Sequence, residues 1–293
     1  MPRRRRSRKE EAKGITMKRF LLAAVLSLGL AAPSVAQTPP RVRLAPPQSL
    51  SPLAVSLQQF TRGTLRFVIL HELGHGLVDL YDLPVLGREE DAADRFATFW
   101  MSPDSQGEDG TDAVAAMEWW LASAKQSDAS REQLPWWDEH GMDEQRAYQI
   151  ACLLYGASPD DFGPLAGRMG IPERSRRRCL NEAVQNTVSW SKLLKGQVSQ
   201  LRNLDGYFTN LTYMEAGPDT ADAAELAKRY GILEEAREII RQFRYTDVNT
   251  TVKVIGRDCG VSNAFWNSET KELTLCYELV NEVAATGMAA GFR

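Results

Sequence analysis

Apolar residues recur at helical spacing from Leu57 to Leu80, Arg88 to Met101, Asp112 to Lys125, Asp143 to Tyr155, Pro172 to Leu194 and Thr220 to Phe243. Each stretch predicts a helix that buries one face. Ser-Pro-Asp, Ile-Pro-Glu and Gly-Pro-Asp junctions supply starts in three of the gaps. Towards the C-terminus the period changes. Thr251 to Ile255 (TVKVI) and Glu272 to Tyr277 (ELTLCY) are rich in β-formers, and the turn-prone Asn267-Ser268-Glu269-Thr270 lies just before the second. They predict a small antiparallel sheet, followed by a final helix from Leu279. The expected fold is therefore α+β and predominantly α-helical, a single domain over residues 53–293 with no internal repeat.

The beginning of the chain has a different character. From Met17 it reads MKRFLLAAVLSLGLAAPSVAQ, with Lys18 and Arg19, an apolar run from Phe20 to Ala32, and small residues Ser34 and Ala36 before Gln37. This predicts a Sec-type secretory signal peptide within residues 1–36, cut after Ala36, with translation starting at Met17. The apolar run is short against the roughly 20 residues of a spanning helix, so no stable membrane anchor is expected after cleavage. Residues 37–52 hold five prolines and read as an extended linker.

Charge follows the same division. The net charge of −3 hides nine Lys/Arg and two acids in residues 1–36, leaving 26 bases and 36 acids, net −10, in the remainder. The one basic block lies in the segment expected to be removed, which excludes a nucleic-acid partner. Export to the periplasm or the exterior would put Cys152, Cys179, Cys259 and Cys276 in an oxidising compartment. Proximity favours Cys152 with Cys179 and Cys259 with Cys276, although four cysteines allow three pairings. No Cys-x-x-Cys spacing offers a thiolate metal site.

The chain has three histidines, and two of them stand four residues apart in His71-Glu72-Leu73-Gly74-His75. On a helix, positions i and i+4 lie one above the other, so both imidazoles can bind one metal ion. Glu72 projects beside them, placed as a general base for the attacking water rather than as a ligand. Gly74 and Gly76 are poor helix formers and point to a close approach by another element.

A catalytic zinc needs a third protein ligand and an open position. A third His six residues after the second is absent, because that position is Tyr81, and Val78 stands where the same pattern has Gly. The alternative is a Glu on the next helix. Residues 88–95 contain Glu90-x-x-Ala-Asp94, in which Glu90 could ligate while Asp94 accepts from a ligating imidazole. Glu89 and Asp91 are the fallback ligands. A solvated acidic face is the structural alternative. Small Ala92 and Ala93 would let this helix pack closely on the first.

The third histidine follows Trp136-Trp137-Asp138-Glu139. His140 or Arg146 could donate to the oxyanion of a tetrahedral intermediate, with Tyr148 and Tyr155 as further donors. Equally, Asp138 or Asp143 could cap the next helix while Arg146 pairs with a carboxylate.

These segments together resemble a known family. HELGH, LPVLGREEDAADRFA, DEHGMDEQRAYQIACLLYG, ERSRRRCLNEAVQNTVSW and CGVSNAFWNSETKELTLCYEL are similar to the DUF4344 family of bacterial proteins, described as putative metallopeptidases. The resemblance implies a zincin-like fold with His71, Glu72 and His75 as motif residues, and Glu90 and Asp94 match the E-x-x-A-D form of glutamate-ligand zincins. One departure concerns topology. Zincin sheets usually precede the active helix, whereas only some twenty residues separate the linker from it here.

The expected function is zinc-dependent hydrolysis of peptide or protein substrates in the cell envelope or outside the cell. Catalytic roles fall to Glu72 and His140, Zn2+ ligation to His71, His75 and Glu90, and histidine orientation to Asp94. Two other classes fit less well: a zinc hydrolase of a non-protein amide such as a cell-wall fragment, and a non-catalytic secreted interaction protein that retains its metal site. Glu72 argues against the latter, since a purely structural site needs no general base.

Overall fold

A computed structural model describes residues 55–103, 107–126, 140–198, 207–247 and 249–293. The leader, the linker and Trp136 to Glu139 lie outside the described residues. Among the described residues, nine helices and four strands occur in the order α1 (Leu57–Tyr81), α2 (Glu89–Met101), α3 (Thr111–Gln126), α4 (Asp143–Ala157), α5 (Pro159–Arg168), α6 (Glu173–Leu193), β1 (Phe208–Tyr213), α7 (Ala221–Tyr230), α8 (Ile232–Arg241), β2 (Thr251–Arg257), β3 (Ala264–Asn267), β4 (Glu272–Cys276) and α9 (Tyr277–Ala289). The molecule is α+β and mostly helical, as expected.

The helix α1 is the axis of the core. Ser56 caps it by accepting from the Gln59 N–H at 3.1 Å. Its apolar residues occur on more than one face, so Phe60, Leu65, Phe67, Leu70, Leu73 and Leu77 are all buried, and it packs against α2, α3, α8, α9, β3 and β4. It stops at Asp82 in the left-handed region (φ 49°), where Leu83-Pro84 cannot continue a helix. Two of its glycines are dictated by contact. A Cβ on Gly74 would stand 3.0 Å from the Cα of Ala93 in α2, and one on Gly76 would stand 3.1 Å from the Trp266 ring of β3. Gly74 thus brings α1 and α2 together, as the small residues at 92–93 lead one to expect.

The sheet is mixed, in the order β1-β2-β4-β3. The two segments expected to be strands do pair, but parallel to each other, with Lys253 opposite Glu272 and Arg257 opposite Cys276. The antiparallel partner of β4 is β3, joined to it by the turn at Asn267 to Thr270. The pattern within β3, four residues long and only partly buried, is too short to show a period of two. β1 pairs parallel with β2 on the far edge. Buried Leu273 and Leu275 of β4 and Val252 and Val254 of β2 turn one face of the sheet to the core.

Two helices depart from the expected pattern. The stretch from Thr220 to Phe243 is broken into α7 and α8 at Gly231, which adopts φ +66°. The short α5 goes unsignalled because Gly163, Pro164 and Gly167 suppress its helical propensity. Both favoured disulfides form: Cys152–Cys179 ties α4 to α6, and Cys259–Cys276 ties the β2–β3 connection to the end of β4. No helix among the described residues is long and apolar enough to cross a membrane.

Candidate metal centre

The HELGH segment lies within α1, which packs against both α2 and β3. His71 is buried and His75, one turn later, faces the opening. Because Gly74 lets α2 approach, the first turn of α2 comes over the two imidazoles. Glu90 Oε2 lies 3.0 Å from His71 Nε2, and Glu90 Oε1 lies 3.3 Å from His75 Nε2. The ligand atoms of His71, His75 and Glu90 all lie within 4.8 Å of one another.

A test of whether this trio fits a cation comes from what the other ring atoms do. His71 Nδ1 lies 2.8 Å from Asp94 Oδ1, and His75 Nδ1 lies 2.8 Å from Glu89 Oε1. A carboxylate accepts, so the hydrogen belongs on each Nδ1 and each Nε2 presents a lone pair. The two Nε2 atoms are 3.3 Å apart and both face Glu90. Three acceptors at such distances repel unless positive charge lies among them. Glu90 Oε2 is buried and makes no well-aligned hydrogen bond, despite the nearby nitrogens. The residues fit a divalent cation.

The electrostatics point the same way. Burial alone would lower the His71 pKa, but Asp94 and Glu90 outweigh it and raise the value to about 9. At His75 burial is likewise overcome, by Glu90 and Glu89, and the pKa rises. Glu90 would be pushed up by burial, yet His140, His71 and His75 hold its carboxyl far below the ordinary range. Burial at Asp94 is overcome by Arg146 and His71, giving a value of about 2. Each shift expresses a demand for positive charge beside the carboxylates of Glu89, Glu90 and Asp94.

Glu72 stands outside the ligand trio, with Oε1 3.9 Å from His71 Nε2. Burial raises its pKa, opposed by His71, His75 and the backbone N–H of Trp266, which donates to Oε2 at 2.9 Å. Trp266 is itself fixed: its indole Nε1–H donates to Asp79 Oδ2 at 3.0 Å, and Lys271 Nζ donates to the same oxygen at 2.6 Å. Asp79 is one turn beyond His75 on α1, so these bonds clamp β3 onto the helix.

Glu72, His75, Glu90 and His140 line a cleft of about 590 Å3, with Val78, Leu83, Asn263 and the β3 residues Ala264 to Trp266 among its walls. His140 therefore reaches the site, and its Nε2 lies 2.9 Å from Glu90 Oε2. Arg146 does not face the cleft. It forms a two-pronged pair with Asp94 at 2.7 and 2.6 Å and stacks 3.7 Å over the Trp120 ring, so it holds the carboxylate that holds His71. Tyr148 and Tyr155 are not among the lining residues. Of the two fallback ligands, Glu89 accepts from His75 and Asp91 pairs with Arg88. Asp138 lies outside the described residues.

Sequence reasoning missed Trp266 and its hold on Glu72. The contact is carried by a backbone N–H, which no residue type in the segment NAFWN signals.

A family model, DUF4344, with the description "Putative metallopeptidase", matches residues 48–194 and 214–292. The matched segments include the whole of α1 and α2 and all three strands β2, β3 and β4. No curated protein and no solved structure matches the chain.

Proposed function

This chain belongs to the DUF4344 family, and from that membership and the site just described we propose that it is a zinc-dependent peptidase of the glutamate-ligand type, acting on peptides or proteins in the periplasm or outside the cell. The observation that carries the reading is the convergence of His71, His75 and Glu90 beneath an open cleft, with Glu72 beside them and outside the trio.

His71, His75 and Glu90 would hold the metal, a two-nitrogen, one-oxygen set that suits zinc and leaves a position open. When bound, zinc supplies Lewis acidity towards a carbonyl and lowers the pKa of water. The chain's own residues do the rest. Glu72, its carboxylate oriented by the Trp266 N–H, takes the proton of the attacking water and returns it to the leaving amine. Its raised pKa suits both halves of that exchange. Asp94 and Glu89 keep His71 and His75 in the ligating tautomer. His140, on the cleft wall, is the donor towards the developing oxyanion.

Two disulfides support a site of action in an oxidising compartment, in keeping with the signal peptide read in residues 1–36 and with a domain spanning 53–293. The test is metal analysis of the purified protein beside Glu72→Gln and Glu90→Ala, with a mixed peptide library as substrate. Wild type and Glu72→Gln should carry one zinc per chain, Glu90→Ala should lose it, and only wild type should cleave. A wild-type protein that takes up no metal on titration would overturn the reading.

A further inference from the structure

The cleft over the histidines does not end at α1. Val78 and Leu83, which line it at the C-terminal end of that helix, also line a second groove of about 600 Å3. This groove is formed by the Leu83–Leu86 connection, by Ala92 and Arg95 of α2, and by one side of α6 that includes Trp190 and Leu193. Two cavities of equal size therefore share an apolar saddle of two side chains.

Eight of the fourteen residues lining the second groove are apolar, beside the polar Gln185, Ser189 and Lys192. Its Arg95 and Glu182 pair with each other at 3.7 Å, and Glu182 is also held by Arg178 at 3.1 Å, so these charges are satisfied within the fold. Asn186 is committed to the Arg95 carbonyl at 2.9 Å. At the groove's edge Leu86 is 100% exposed, an apolar side chain that nothing in the fold buries. Single exposed apolar residues are common on protein surfaces. This one lines a groove that shares Val78 and Leu83 with the cleft beside His71, His75 and Glu90.

We infer that the groove is the continuation of the substrate cleft and takes an apolar segment of an extended polypeptide. The inference rests on the reading of the cleft as a peptidase site and adds the class of substrate: long, unfolded or loosely folded chains with hydrophobic residues several positions from the bond at the histidines. A chain in extended form advances about 3.3 Å per residue, so a short peptide occupies the first cleft alone. A longer one passes over Val78 and Leu83 into the second groove. A folded surface does not offer consecutive apolar residues to such a groove. Contacts this far from the reacting atoms select the substrate and leave the chemistry to the metal centre.

The experiment uses the zinc-loaded protein and three quenched-fluorescence peptides with one central sequence: the short core, the core flanked by Leu/Phe/Val, and the core flanked by Ser/Gln. The apolar-flanked peptide should show a KM about tenfold below the other two, the scale of burying one leucine-sized side chain. Leu86→Glu, at a fully exposed position, and Ser189→Trp, which fills the groove from α6, should each remove that advantage and leave kcat and KM for the short core unchanged. Equal KM values for all three peptides in wild type, or no effect of either variant, would overturn the groove and leave the peptidase reading standing. Should wild type cleave none of them, the peptidase reading falls. Fluorescence anisotropy of the labelled apolar-flanked peptide then decides the groove by itself. Binding weakened several-fold by Leu86→Glu supports it, and identical binding overturns it.

Discussion

The backbone N–H of Trp266 donates to Glu72 Oε2 at 2.9 Å across 194 positions of sequence. The free edge of the sheet thus holds the one carboxylate of HELGH that stays outside the ligand trio, and the Trp266 ring lies against Gly76 of the same helix. The second glycine of HELGHG exists so that β3 can reach Glu72.

Gly76→Ala tests this relationship. The added methyl would meet three atoms of the Trp266 ring at 3.1 to 3.3 Å, and the ring is anchored to Asp79 and cannot simply swing aside. Alanine gains roughly 1 kcal/mol of helix propensity over glycine, which offsets much of the crowding. Thermal stability should therefore change little while kcat falls by about tenfold, since a base displaced by a fraction of an ångström loses much of its advantage. Zinc content should stay at one per chain. Unchanged kcat would mean that Trp266 does not position Glu72.

The Arg146–Asp94 pair is buried, with side chains 9% and 8% exposed. Removing one partner of such a pair leaves an uncompensated charge and costs about 3–5 kcal/mol. Arg146→Met should therefore lower the urea midpoint strongly. Asp94→Asn should act differently, because the amide no longer fixes the His71 tautomer: zinc affinity should drop by about 10–100-fold. Competition with a chromogenic chelator measures this, and an Asp94→Asn protein of wild-type affinity would remove Asp94 from the metal centre.

Much of the centre is legible in the sequence, because i, i+4 spacing on a helix is local geometry. His71 and His75 need only the period of α1, and Glu90 and Asp94 need only the period of α2 and a reversing turn at Leu83-Pro84. The contribution of β3 is not legible in the same way. It is carried by a backbone N–H, which every residue but proline has, and by a parallel pairing of β2 with β4 that the alternation pattern does not encode. Arg146 could be read either way from sequence, since its pairing with Asp94 bridges 52 residues and is set by how α4 packs on α2.

The two disulfides should separate by function. Cys259–Cys276 closes the segment leading into β3, where Glu278 also accepts from the Cys259 and Gly260 N–H groups. Cys152–Cys179 joins α4 to α6, away from β3. Replacing either pair by alanine should cost about 2–4 kcal/mol. Measured well below both melting temperatures, only the Cys259/Cys276 double variant should lose kcat, because it loosens the strand that holds Glu72. Equal activity in the two variants would contradict a role for the bridge in setting β3.

Glu118 offers a pH dependence remote from the metal centre. It lies on α3, 8% exposed, with Oε1 lacking a hydrogen-bond partner, and burial raises its pKa above the ordinary 4.5 against the opposing pull of Arg168 and Lys125. Below pH 4.5 the folded and unfolded states both hold the proton. Between 4.5 and the raised folded value only the folded state does, so unfolding free energy falls as pH rises through that window and is level above it. Glu118→Gln has no proton to lose. Its stability should match wild type near pH 4.5 and exceed it at pH 8 by on the order of 1 kcal/mol, the cost of keeping a buried carboxylate charged. Paired urea titrations at the two pH values check this, and a constant difference between the proteins would show that Glu118 ionises in the fold as it does in water.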